Sequence, residues 1–305
     1  MAGQQPSGRS DAAHPDRTVL LEQPPGSLST LVRAALPTVP VVGSLPGVRK
    51  GSREDFAGLS YARHGVRLER DHVEAYAAVC GFPVKDTVPV TYPHMAAFPL
   101  HMAIMTDRAF PYPAIGTVHV ENAITAHRAI GVGEVLDVAV QVSPARPHAK
   151  GVVLDFRTQA SADGELVWES TSTYLRRGKS NPDAPTGLVL EDVPAGSTRW
   201  SLPGDLGRRY GAVSGDRNPI HLYPLTAKAL GFPRQIAHGM WSKARCIAAL
   251  ENRLPGAVSV EVSFRKPVLL PGTVAFGARP SGEGWAFSLS SRSGSAHLLG
   301  RTTPA

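Results

Sequence analysis

The chain has 305 residues, enough for one large domain or two ordinary ones, with the 42% hydrophobic and 19% charged content of a globular protein. Its 32 basic and 25 acidic residues give a net charge of +7, spread along the chain rather than gathered in a block. No basic run is interleaved with stacking aromatics, so nucleic acid is not expected as a partner. Two cysteines, Cys80 and Cys246, are too few for a disulfide framework and lack metal-ligand spacing. They read as buried thiols in a reducing cytoplasm. No stretch reaches the length of a membrane span, and the start of the chain lacks the apolar core of a signal peptide.

Residues 1–26 are rich in Pro, Gly, Ser and charge and are expected to be mobile; Ser27–Leu36 suggests one or two amphipathic turns ended by Pro37. Asp71 and Glu74 have capping-box spacing for a helix that carries Tyr76 to Cys80. An apolar helix is expected over Phe98–Thr106, then strands over Gly116–Ala126, Val135–Ser143, Val152–Ala160 and Leu166–Leu175. The breaker-rich stretch Gly178–Gly187 opens a linker, taken as 178–195, between an N-terminal half (27–177) and a C-terminal half (196–305). The second half repeats the pattern, with a helix over Met240–Leu250. Its strands are expected over Ala257–Arg265, Val274–Arg279, Trp285–Ser291 and Ala296–Arg301.

The halves read as copies. Tyr76-Ala-Ala-Val-Cys-Gly-Phe82 matches Tyr210-Gly-Ala-Val-Ser-Gly-Asp216, and His127-Arg128 stands where Arg265-Lys266 stands. One helix followed by closely spaced strands predicts an α+β unit, a helix on one face of an antiparallel sheet. The unit is present twice, and the two sheets could join edge to edge, which would hide edges that a single sheet exposes.

The densest chemistry lies in Tyr210-Gly-Ala-Val-Ser-Gly-Asp-Arg-Asn-Pro-Ile-His221, followed by His238-Gly239-Met240. Pro219 fixes its own φ and pushes Asn218 out of the α region, so Asp216 and His221 flank a corner and can converge. Gly239, opening an apolar helix, offers an N–H where negative charge is favoured. A base, an acid and an anion site in one segment point to acid–base chemistry beside a carbonyl.

These residues resemble the hydratase-2 signature of the MaoC-like dehydratases: Tyr210, Val213, Ser214-Gly215-Asp216, Asn218-Pro219, Ile220-His221 and Ala227, with His238-Gly239-Met240 and Ser263–Pro267 downstream. The first half, through Tyr92-Pro93-His94 and Gly116–His127, is similar to the degenerate partner repeat of double-hot-dog members of that family. The resemblance implies a double hot-dog fold and reversible interconversion of trans-2-enoyl and (R)-3-hydroxyacyl thioesters by an activated water. It makes Asp216 and His221 catalytic, has Asn218 orient them, and turns the Gly239 amide toward the thioester oxygen. It implies no metal and no cofactor; coenzyme A or acyl carrier protein arrives as part of the substrate. The protein would act as a single double hot-dog chain or a homodimer. Phe82 replaces the acid in the first half, which is expected to shape the acyl tunnel rather than catalyse.

Blander roles stand beside these. Ser214 reads as a small packed hydroxyl with a hydrogen bond to the motif loop, His238 as a helix cap or core-edge hydrogen-bonder. A metal site from Asp216, His221 and His238 ranks below acid–base chemistry. Arg265 and Lys266 either bind the phosphates of the thioester carrier or form a solvated strand end, with Arg209, Arg234 and Lys243 as weaker candidates. His94, His101, His119 and His127 read as structural. A hot-dog thioesterase and a non-catalytic acyl-binding subunit are the competing functions.

Overall fold

The computed structural model describes residues 18–23, 56–185 and 187–305. The helix expected over Ser27–Leu36 lies outside them. Alternating or fully buried apolar runs form the strands. In β4 (Val135–Val142), Leu136, Val138, Val140 and Val142 face the core, while Val135, Asp137 and Gln141 face out. The N-terminal half further contains β2 (Ser60–Arg67), α1 (Arg70–Cys80), α2 (His94–Thr106), β3 (Thr117–Ala126), β5 (Arg146–His148), β6 (Gly151–Ala162) and β7 (Glu165–Arg177). The C-terminal half contains β8 (Thr198–Leu202), α3 (Leu206–Ser214), α4 (Pro219–Leu222), α5 (Pro224–Ala229) and α6 (Gly239–Ala248). It ends with β9 (Val258–Phe264), β10 (Gly272–Ser281), β11 (Gly284–Ser291) and β12 (Ala296–Pro304).

These strands form one sheet. Its N-terminal half runs β2-β4-β6-β7-β3 and continues as β9-β12-β11-β10-β8, with β5 paired off the path to β6. The second half is thus the first in reverse order, as two copies joined about a two-fold axis would give. The join is the antiparallel ladder of β3 and β9, from Glu121↔Ser263 to Ala126↔Val258. Of the arrangements open to two helix-bearing sheets, the edge-to-edge union is the one observed. α2 packs on β2 and β4, and α6 packs on β11.

The seam is reinforced from inside. Lys243 on α6 is fully buried and donates to Asn122 Oδ1 (2.5 Å), the Asn122 carbonyl (3.2 Å) and the Val260 carbonyl (3.0 Å). This overturns the surface role considered for Lys243: the apolar face of α6 carries it into the core, where carbonyl oxygens satisfy it and no phosphate can reach it.

The structure departs from the sequence expectation in other places. Thr18–Leu20, inside the segment expected to be mobile, forms β1 and pairs in parallel with β2. The short or irregular strands β2, β5 and β8 carry too little periodicity to stand out. α2 begins at His94 rather than Phe98 and carries Pro99 inside it, because burial of Met95, Ala96, Ala97 and Leu100 holds the turn that proline weakens. No helix among the described residues is long and apolar enough to cross a membrane.

Candidate active site

The repeated heptapeptide makes the same local structure twice. α1 ends at Gly81 (φ 80°), whose N–H bonds the Ala77 carbonyl; α3 ends at Gly215 (φ 74°), whose N–H bonds the Gly211 carbonyl. Both glycines adopt the left-handed conformation that closes a helix at little cost. The two helices pack together, with the rings of Tyr76 and Tyr210 6.3 Å apart.

After Gly215 the chain turns back along α3. The backbone N–H of Asp216 donates to Ser214 Oγ (3.2 Å), so the packed hydroxyl holds the motif loop. Asp216 Oδ1 accepts from the Asn218 N–H (3.1 Å), and Asn218 Oδ1 accepts from the Ile220 N–H (3.3 Å), capping α4 with Pro219 at its start. This turn can sit against α3 only because two positions one helical turn apart lack side chains. A Cβ at Gly207 would lie 1.9 Å from the His221 carbonyl oxygen, and one at Gly211 would lie 2.9 Å from the Asp216 carbonyl oxygen.

Asp216, His221 and His238 each bring one side-chain donor atom within 4.8 Å of the others. His221 is buried, and its Nδ1 faces the Ile236 carbonyl at 2.8 Å. A carbonyl only accepts, so Nδ1 carries the proton and Nε2 keeps its lone pair. Burial lowers the His221 pKa below 6.5, opposed by Asp216 and the Ile236 carbonyl, so the ring favours the neutral form. His238 stacks on it with ring centroids 3.7 Å apart. Its Nε2 donates to the Asp216 backbone carbonyl (2.9 Å) and lies 3.8 Å from Oδ2. Burial, and then His221, holds the His238 pKa down to about 3. His238 makes no side-chain cap to α6; it braces the Asp216 loop instead. Among the described residues this trio is the group that could hold a metal ion, but two of its four ring nitrogens already donate to carbonyls.

A cavity of about 580 Å³ opens beside the trio and draws its walls from both halves. Asp216, His221 and Gly239 border it from the C-terminal half; Met95, Phe98 and Met102 of α2 and Tyr174 of β7 border it from the other. The first turn of α6 leaves the Gly239 N–H without an intrahelical acceptor, and a Cβ there would crowd the Phe264 ring at 3.2 Å. Arg265 and Lys266 are exposed at the cavity margin with Lys150, Arg177 and Arg217. The Arg265 guanidinium also donates to the Leu188 carbonyl, and Lys266 Nζ lies 3.3 Å from Ser295 Oγ. Arg209 and Arg234 do not border this cavity.

Over most of its length the chain resembles known proteins. The family model of the MaoC-like domain matches residues 197–287. The 3-hydroxyacyl-thioester dehydratase X of Mycobacterium tuberculosis is 36% identical over 272 residues, covering 87% of this chain and 93% of that protein. The chain belongs to the MaoC-like dehydratase family. A crystal structure of HtdX from the same organism superposes with a TM-score of 0.72 at 34% identity, covering 81% of this chain and all of that one. A MaoC-like dehydratase from Phytophthora capsici shares the fold at 18% identity and a TM-score of 0.69, covering 83% and 98% of the two chains.

The first half carries neither the acid nor the histidine at the matching positions. Thr87 stands where His221 stands, and it borders a cavity of only about 150 Å³ together with Pro93 and Trp168. Phe82, which stands in place of the acid, does not line the acyl-sized cavity. It is buried against Tyr76 with ring centroids 6.2 Å apart and fills the core. The first half still contributes to the cavity wall, as expected of it, through α2. His127 is at the surface, 3.4 Å from Glu169. His101 bridges Tyr174 Oη and Thr158 Oγ1, each at 3.1 Å, and is a satisfied core residue. Sequence reasoning missed Gly207 and Ile236; the Gly207-x-x-x-Gly211 spacing signals the close approach, whereas a backbone carbonyl leaves no mark in a sequence.

Two outcomes are expected. Gly207→Ala should displace the α4 turn and reduce turnover at least about tenfold, the scale of a catalytic group displaced by about 1 Å or less; unchanged kinetics would show that the turn relaxes freely. Stability should fall steadily as pH drops from 6.5 toward 4. Burial lowers the pKa values of His94, His101, His119, His221 and His238, so in this window the unfolded chain binds protons that the folded chain refuses. Thermal melting across pH 7.5 to 4.5 checks this, and a flat Tm would contradict it.

Proposed function

We propose that this protein is a hydro-lyase that adds water across trans-2-enoyl thioesters and removes it from (R)-3-hydroxyacyl thioesters. The observation that carries the reading is the pairing of a His221 Nε2 lone pair, fixed by the Ile236 carbonyl, with the Asp216 carboxylate at one end of an apolar cavity. A water held between these two acceptors loses a proton to one of them as its oxygen attacks C3. The electron pair of the alkene moves toward the thioester oxygen, which the Gly239 N–H meets at the start of α6. A proton then returns to C2, and the net change is one water added. Positioned acid–base groups contribute roughly a hundred- to ten-thousand-fold each. Asn218 acts through the turn that carries His221, and Ser214 through the backbone of Asp216.

The apolar wall from α2 suits the acyl chain, and the cations at the margin suit the phosphates of coenzyme A or of a carrier-protein prosthetic group. Related proteins carry names that agree: besides dehydratase X, the (R)-specific enoyl-CoA hydratase of Aeromonas caviae is 37% identical over 65 residues, covering 20% of this chain and 48% of that protein.

Asp216→Asn and His221→Ala should each lower crotonyl-CoA hydration, followed by loss of enoyl absorbance, by at least about a hundredfold in a folded protein. Near-normal rates in either would sink the assignment, and release of free thiol by the wild type would point to hydrolysis instead. Replacing both Arg265 and Lys266 with Ala should raise KM for enoyl-CoA with little change in kcat and flatten the salt dependence of kcat/KM. Unchanged KM and salt response would make them a solvated strand end.

A further inference from the structure

The half that lacks the motif places a polar side chain in the wall of the cavity. His94, at the start of α2, borders the same cavity as Asp216 and His221 and is only 3% exposed. Its Nδ1 is sealed within the protein and meets no hydrogen-bond partner. No described residue hydrogen-bonds its other ring nitrogen either. His101, two turns further along α2 with its ring centroid 5.4 Å away, shows the contrast, since both of its nitrogens are bonded to hydroxyls. Buried polar groups in native proteins are almost always paired, and one that is not asks for a ligand. With Nδ1 sealed, the ring's single proton belongs on Nε2, the nitrogen left to find a partner in the cavity.

Position says which ligand atom that is. The His94 ring lies 6.4 Å from that of His119, whose ring is 5.2 Å from that of Phe264, the neighbour of Gly239, and it feels the charges of both Lys243 and Asp216. Desolvation first, and then Lys243, holds its pKa down to about 4 against the opposing pull of Asp216, so near neutral pH it is an uncharged donor. In the function proposed above, the thioester oxygen belongs to the Gly239 amide, and the polar substrate atom beside Asp216 is the oxygen carried by C3. We infer that His94 donates a hydrogen bond to the C3 oxygen of the bound 3-oxygenated acyl group, making it a substrate-contacting, specificity-determining residue supplied by the non-catalytic half. This rests on the hydratase reading but concerns binding, so the two can fail separately.

The test uses two thioesters that can neither be hydrated nor dehydrated: acetoacetyl-CoA, which has an oxygen on C3, and butyryl-CoA, which has none. Titration calorimetry gives the ratio of their Kd values for the full-length wild type, His94→Gln, His94→Phe and His94→Ala. The preference for acetoacetyl-CoA should fall about tenfold in the Phe and Ala variants and be largely kept by His94→Gln, whose amide can still donate. His94→Ala leaves space in the cavity and so covers the case in which Phe blocks both ligands. A ratio unchanged from wild type in His94→Ala, with butyryl-CoA bound normally, overturns the inference. So does an equal loss of affinity for both thioesters in the Ala and Gln variants, because a merely structural histidine would act on both. Normal hydration by Asp216→Asn and His221→Ala removes the hydratase reading. An unchanged ratio in a protein whose hydration those variants abolish removes His94 alone.

Discussion

The antiparallel ladder of β3 and β9 is the constraint on which the rest depends. Glu121 to Ala126 pairs with Ser263 to Val258, and that pairing turns two similar halves into one continuous sheet. Lys243 sits beneath it with three oxygen acceptors drawn from both strands, so the seam is held by side-chain as well as main-chain hydrogen bonds. A buried lysine is unfavourable unless satisfied, which also makes any slip of this register costly. Because the seam is continuous, α2 of one half and the motif loop of the other face the same cavity. Neither half alone encloses it.

Within that cavity, backbone carbonyls decide the chemistry of the imidazoles. Ile236 fixes the proton of His221 on Nδ1, and the Asp216 carbonyl fixes that of His238 on Nε2. The stacked pair therefore divides its work: one ring offers a lone pair beside the carboxylate, and the other braces the loop from which the carboxylate projects. Desolvation favours the neutral form of both rings, which is the form a base needs. The loop reaches this position because Gly207 and Gly211 let main chain lie where side chains would otherwise stand.

The two halves show how one scaffold supports unlike ends. Tyr76 and Tyr210, and Gly81 and Gly215, occupy matching places in matching helices. The chain then diverges within one residue. Phe82 turns into the core against Tyr76, whereas Asp216 stays partly accessible at the cavity wall. The space around Thr87 has shrunk to about a quarter of the other cavity. What the first half keeps is the apolar face of α2, which supplies walls for an acyl chain, and the histidine at its start.

Legible in the residues alone were the elements with strong periodicity, the duplication of a helix-bearing sheet, and the motif carrying Asp216 and His221, whereas the join of the two sheets was one arrangement they allowed and the β3–β9 ladder realises. The legible features rest on side-chain alternation, on repeated residues, and on turn chemistry local to Asn218 and Pro219. Short edge strands such as β1 and β8 were not legible, since they are stabilised by their neighbours rather than by their own pattern. The roles of Phe82, Lys243 and His94 were decided only by the tertiary structure. An aromatic ring can fill a core or line a tunnel, a lysine can meet phosphate or carbonyl, and a histidine can be paired or unpaired. Which of these holds depends on the groups that the folded sheet and helices bring around each side chain, and composition and spacing carry no record of those distances.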